Sequence, residues 1–221
     1  MQRRVRSPEV ADALAAIHAA AGRATRAEGL DELRGTEGLG ARMYFGALSH
    51  GVAQPGMSFT GRNRRPPTDP INAALSYAYT LLVGRVESAV RGAGLDVFVG
   101  FLHEATRGNP ACALDLAEEW RPLVDAMVFG LVNRRELGPE DFRTPGVGLA
   151  DADGNDAGAV HLAPVGREIL FRAWFRRLDE PLTVTSAGQR MPLRAALAWQ
   201  AAHLARVCEG KEPAYVPVAW A

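Results

Sequence analysis

The sequence predicts a mainly α protein with one small β-hairpin, and three observations carry that expectation. Apolar residues recur at helical spacing over long stretches, as in Ile71, Leu75, Leu82, Val86 and Val90. Helix starts and stops are written in capping residues, with Asp69 before Pro70 at one end of that stretch and Gly92 and Gly94 at the other. An extended pattern shows only in RTPGVGLADADGNDAGAVHL, where two short segments flank a turn.

The elements follow in order. Ser7 as cap and Pro8 at the first turn open a first helix that ends near Gly29, and residues 1–29 read as a leading or linker helix before a helical domain over 30–221. LDELRGTEGLGARMYFGALSHG gives a second helix with Leu39, Met43 and Leu48 in helical register and Glu37 between Gly35 and Gly38. VAQPGMSFTGRNRRPPTDP is an irregular loop dense in Gly, Pro and Arg. A fourth helix is expected from about Ala113 to Arg134, with Leu116, Trp120, Leu123, Val124, Met127, Val128 and Leu131 on one face. GREILFRAWFRRL and LRAALAWQAAHLARVCEG supply two more helices, and KEPAYVPVAWA a tail.

Composition narrows the function classes. Over 221 residues, 48% hydrophobic content is that of a folded chain. Twenty-five basic residues balance 25 acidic ones, so no global field announces a nucleic acid or a membrane, and any such site must be local. Lys211 is the only lysine, a bias that composition alone cannot divide between base usage and a need for bidentate phosphate contacts. Cys112 and Cys208 stand apart with no CxxC spacing, which argues against a disulfide framework or a thiolate zinc site. MQRRVRSPEV lacks an apolar segment behind its charges, and no window reaches the run of about 18 apolar residues a membrane span needs. A cytoplasmic protein without membrane partners is expected.

The chemistry concentrates in GFLHEATRGNPACALDLAEEWRP, residues 100–122. A histidine, His103, precedes a helix carrying Asp115, Glu118 and Glu119. At about 100° per residue, Asp115 and Glu118 lie about 60° apart on the face opposite the apolar stripe. Histidine nitrogen with carboxylate oxygen suits Mg2+ or Mn2+ in an open site able to polarise a phosphoryl oxygen. An exposed helical carboxylate is more often merely solvated, and a lone histidine more often a structural hydrogen-bonding group. Spacing leaves both readings open. DADGND lacks the glycine and the bidentate glutamate of a calcium loop and reads as a polar turn.

FTGRNRRPPTDPINAALSYAYTLL, then GLDVFVGFLHE, then ALDLAEEWRPLVDAMVFGLVNRREL closed by EDF, together resemble the CRISPR-associated protein one family, the integrase that inserts new spacers into CRISPR arrays. LDELRGTEGLGARMYFGAL upstream and RAALAWQAAHLARVCEGKEPAYVPV downstream extend the likeness from about Leu30 to Val218. The resemblance implies the helical catalytic domain of that integrase, with metal ligands at Glu37, His103 and Glu118 and with Asp115 as an orienting group or alternative ligand. It implies Mg2+ or Mn2+ as cofactor and attack of a 3′-hydroxyl on a phosphodiester, with hydrolysis when water replaces the hydroxyl. Protospacer DNA, the CRISPR repeat and branched DNA are the implied substrates, and CRISPR-associated protein two and a homodimer the implied assembly. Arg62, Arg64, Arg65, Asn72 and Tyr79 become candidates for DNA contact; a solvated surface for the arginines and core packing for Tyr77 and Tyr79 are the competing readings. The family's N-terminal β-rich domain is expected to be absent from this sequence, and Val97 and Cys112 replace a common proline and serine. Two other readings remain: a shortened, weakly active or non-catalytic DNA-binding module of the adaptation complex, and a helical metal-dependent hydrolase of a small substrate.

Overall fold

The computed structural model describes residues 8–63, 66–104, 106, 108–144 and 158–220. Seven helices dominate them: α1 (Pro8–Ala24), α2 (Leu30–Ser49), α3 (Pro70–Gly92), α4 (Ala111–Glu118), α5 (Arg121–Asn133), α6 (Pro164–Asp179) and α7 (Leu193–Cys208). Strands β1 (Phe142–Arg143) and β2 (His161–Leu162) form the expected antiparallel pair, with Phe142 opposite Leu162. A second hairpin, β3 (Pro181–Val184) with β4 (Gln189–Pro192), was not legible in the sequence. Its strands are four residues long and turn through Gly188 at φ 63. The chain divides into two compact units, Met1–Ala74 with Phe129–Gly166, and Leu75–Val128 with Arg167–Ala221.

In the first unit α1 packs on α2, and Ser7, its expected cap, lies outside the described residues. The apolar residues expected on α2 are only half-buried, and Phe45 is the buried one. Phe45 meets Phe59 edge-on at 6.2 Å, and Phe59 meets Phe129 at 5.4 Å. At the start of α3, Asp69 Oδ1 accepts the Asn72 amide at 2.8 Å, so the cap and Pro70 act as the sequence indicated.

In the second unit Leu75, Leu82, Val86 and Val90 of α3 are at most 1% exposed, the stripe read from the sequence. The helix ends on Gly94 at φ 78, with Leu95 N–H reaching the Val90 carbonyl and Gly94 N–H the Arg91 carbonyl. Trp120, Leu123, Val124 and Val128 are buried, as are Leu170, Trp174 and Leu178 of α6 and Leu193, Leu197 and Leu204 of α7. Truncating Trp120 to alanine would cost about 3–5 kcal/mol.

One expectation is corrected here. The single helix from Ala113 to Arg134 is two, α4 and α5, broken at Glu119 and Trp120. Pro122 causes the break, because it has no N–H to give the Glu118 carbonyl and its ring collides with that turn. The chain recovers by tighter bonds, Trp120 N–H to the Ala117 carbonyl and Leu123 N–H to the Trp120 carbonyl.

Candidate active site

Asp115 organises the histidine loop. Its Oδ2 accepts the backbone N–H groups of Phe101 at 2.5 Å and Leu102 at 3.0 Å. Its Oδ1 takes the His103 N–H at 3.0 Å and lies 2.6 Å from His103 Nδ1. Four donors thus converge on one carboxylate, about its full capacity, and tie the histidine loop to α4. Gly100 permits this approach, since a Cβ there would fall 2.7 Å from Ala111 Cβ and 2.8 Å from Asp115 Oδ2.

In the tautomer whose Nδ1 donates to Asp115, the lone pair of the ring lies on Nε2. That nitrogen lies 3.9 Å from Glu118 Oε1. Glu118 in turn pairs with Arg121 Nη1 at 2.7 Å across the helix break. The Arg121 guanidinium stands 5.1 Å from the centre of the Tyr79 ring. Both donors of the His103–Glu118 pair are roughly a quarter exposed, so they are reachable from solvent.

Among the described residues no three or more His, Cys, Asp or Glu side chains are gathered so that they could hold a metal ion. The open pair, an imidazole nitrogen beside a carboxylate oxygen, is a donor set that fits a hard divalent ion keeping its remaining positions for water or phosphate. Glu37 belongs to the first unit, exposed on α2 next to Gly38 and one turn before Ala41. Gly38, Ala41, Arg42, Phe45 and Gly46 line a cleft of about 560 Å³ with Thr60, Gly61, Arg62 and Asn63.

The DNA-contact candidates have uneven geometry. Asn72 is fully buried, its amide accepting from Asn63 N–H at 3.0 Å and Arg62 Nη1 at 2.8 Å and donating to the Gly61 carbonyl at 2.8 Å. It braces the loop from beneath, and Arg62 is turned toward it. Tyr79 is 8% exposed and donates to buried Asp125 at 2.5 Å, which is the core alternative weighed for it. Arg64, Arg65 and the DADGND segment lie outside the described residues.

Glu119, adjacent in sequence to Glu118, does different work. Its carboxylate accepts from Tyr215 Oη at 2.8 Å and from Val218 N–H at 2.5 Å. Burial pushes this carboxyl above its ordinary value, against the Val218, Tyr215 and Gln200 hydrogen bonds, which pull it down. Burial likewise pushes the Tyr215 hydroxyl up, with the Glu119 charge adding to it. Gln200, fully buried, accepts from Trp120 Nε1 at 2.7 Å and donates to Tyr215 Oη at 3.1 Å. Trp220 stacks on Trp120, centroids 6.4 Å apart. The tail is thus clamped over the helix break, a role sequence reading missed because its partners are about a hundred residues apart.

The described chain is therefore a mainly helical scaffold in which a loop presents a histidine beside a carboxylate at the end of α4. The solved structures it resembles include a casposase bound to its integration product, at 25% identity with a TM-score of 0.73, covering 85% of this chain and 53% of that one. A chain of a Cas6-RT-Cas1–Cas2 complex shares the fold at a TM-score of 0.83 and 24% identity, over 99% of this chain and 23% of that chain. The family model described as CRISPR associated protein Cas1 matches residues 1–174. A protein of Rhodospirillum rubrum named CRISPR-associated endonuclease Cas1 2 is 41% identical over 197 residues, 88% of this chain and 54% of that protein. The chain belongs to the Cas1 family, and it spans about half the length of the curated relatives it matches. No helix among the described residues is long and apolar enough to cross a membrane.

Proposed function

We propose that the chain supplies the catalytic helical part of a metal-dependent DNA integrase and endonuclease of CRISPR adaptation, inserting protospacer DNA into the CRISPR array. The observation that carries this is the Asp115–His103–Glu118 relay, in which one carboxylate fixes the imidazole so that its other nitrogen faces a second carboxylate. Family membership, the endonuclease name of the relatives and the casposase likeness support it.

Mg2+ or Mn2+ held by His103 and Glu118 would supply Lewis-acid polarisation of a phosphoryl oxygen. Asp115 keeps His103 in one tautomer and one orientation, and Arg121 holds Glu118 in place across the helix break until the substrate arrives. The reaction is attack of a 3′-hydroxyl on a phosphodiester, with the old 3′-oxygen leaving along the opposite direction; water in place of the hydroxyl gives cleavage. The loop bearing Arg62, Arg64 and Arg65 contacts backbone phosphates, and Asn72 serves it by bracing the loop from beneath. The partners are protospacer DNA, the CRISPR repeat, branched intermediates, the second CRISPR-associated protein seen beside Cas1 in the complex it resembles, and a second copy of this chain.

The test is to incubate the chain with branched DNA and Mn2+. Cleaved or transferred strands are expected, falling about a hundred-fold or more in His103→Ala. Equal product from the variant would overturn the assignment. DNA binding with no metal-dependent product from the parent would mark a binding module, and turnover of a small phosphoester alone a small-substrate hydrolase.

A further inference from the structure

Three of the nine large apolar side chains exposed among the described residues fall within four positions: Phe98 at 42%, Val99 at 61% and Phe101 at 62% exposure. Scattered singly, such residues need no explanation; gathered together, they do. This group ends two residues before His103, on the loop that carries the proposed catalytic relay.

The backbone beneath them is fixed. Asp96 Oδ1 accepts the Phe98 N–H at 2.9 Å, and Cys112 N–H donates to the Val97 carbonyl at 3.0 Å while Val97 is 1% exposed. Asp115 takes the Phe101, Leu102 and His103 amides, and Gly100 is wedged against Ala111 and Asp115. The chain therefore buries Val97 and holds its neighbours outward by hydrogen bonds on both sides, so their exposure does not follow from a lack of anchoring.

We propose that Phe98, Val99 and Phe101 form a platform on which a nucleobase next to the scissile phosphate stacks once it leaves its helix. This deepens, and rests on, the DNA strand-transfer reading. Phe101 and His103 have Cα atoms no more than about 7 Å apart, so a phosphate at His103 places the base of its own or the next nucleotide within reach of the Phe101 ring. Aromatic faces receive bases of any sequence, which suits an enzyme that must accept unrelated protospacers. A branched or strained junction supplies an unstacked base at little cost, whereas an intact duplex does not. The occupant is a base rather than a protein side chain, because Phe101 stands two residues from His103 and the same Asp115 carboxylate holds both backbones.

The experiment uses the chain with Mn2+ and a branched DNA carrying 2-aminopurine at the nucleotide beside the junction, with fully paired duplex as control. Binding of the parent is expected to change the 2-aminopurine fluorescence. Phe101→Ser and Phe98→Ser should abolish that change and weaken binding to branched DNA about ten-fold, with duplex binding and the unfolding midpoint unaltered. Phe101→Trp should restore both signals. Parent-like fluorescence and affinity in both serine variants, with metal-dependent cleavage intact, would overturn the platform while sparing the strand-transfer reading. Altered sedimentation with unchanged DNA binding would assign the patch to a protein contact and overturn it too. A parent that neither binds nor cuts DNA would remove both proposals together.

Discussion

Two histidines of the same unit show what separates a structural group from the one proposed to react. His203 is 5% exposed, its ring stacked between Trp199 at 5.4 Å and Tyr215 at 5.2 Å. Its Nδ1 is paired with Glu212 and its Nε2 accepts the Val216 amide at 3.0 Å. Both nitrogens are spent on holding the tail. His103 also gives Nδ1 to a carboxylate, yet among the described residues its Nε2 meets only a second carboxylate at 3.9 Å, beyond hydrogen-bond distance, at a surface that solvent reaches. The ring chemistry is the same in both, and the unspent nitrogen distinguishes them. Glu118 and Glu119 repeat the lesson one residue apart: the tail saturates Glu119, while Glu118 faces His103.

The largest effect that would break this comparison is expected from Asp115→Asn. If Asp115 orients the reactive ring, the variant should bind Mn2+ about ten- to a hundred-fold more weakly by calorimetry; unchanged affinity would leave the relay without purpose. Next, His203→Ala should lower stability by about 2–3 kcal/mol in urea unfolding, from lost packing and an unpaired Val216 amide, with Mn2+ affinity intact. A fall in affinity there would mean that the two histidines are not functionally distinct. Tyr215→Phe removes one donor from Glu119 and one acceptor from Gln200, and about 1 kcal/mol of stability should go with them in the same measurement.

The smallest effect concerns pH. The Arg206 hydrogen bond holds the Glu212 carboxyl below its ordinary value of 4.5, with the Arg206 and His203 charges acting the same way. A carboxyl depressed in the folded state contributes stability that is present above pH 4.5 and lost as pH falls through its folded value. Glu212→Gln should therefore flatten the acid limb of the melting temperature against pH. An acid limb as steep as the parent's would show that the tail clamp does not depend on this charge.

How much of this was legible in the sequence follows from the range of the interactions. Asp69 and Pro70 announced α3 because a cap acts over three residues, and the Leu82 to Val90 stripe is local periodicity. The split between α4 and α5 was written in Pro122, but the apolar period runs on through Leu123 and Val124 and hid it. β3 and β4 are too short to show alternation between two prolines. His103, Asp115 and Glu118 stood out through residue type and family likeness, whereas their division of labour required the loop amides to be seen converging on Asp115. Asn72 and Glu119 act through partners fixed only by the fold, so no spacing revealed them.

The most direct test of the unspent nitrogen is paramagnetic broadening of the histidine ring signals by substoichiometric Mn2+ in nuclear magnetic resonance of the chain. The ring signals of His103 should broaden first, with Nε2 most affected and those of His203 unchanged. Equal broadening of both rings, or a His103 signal indifferent to the ion, would contradict the account.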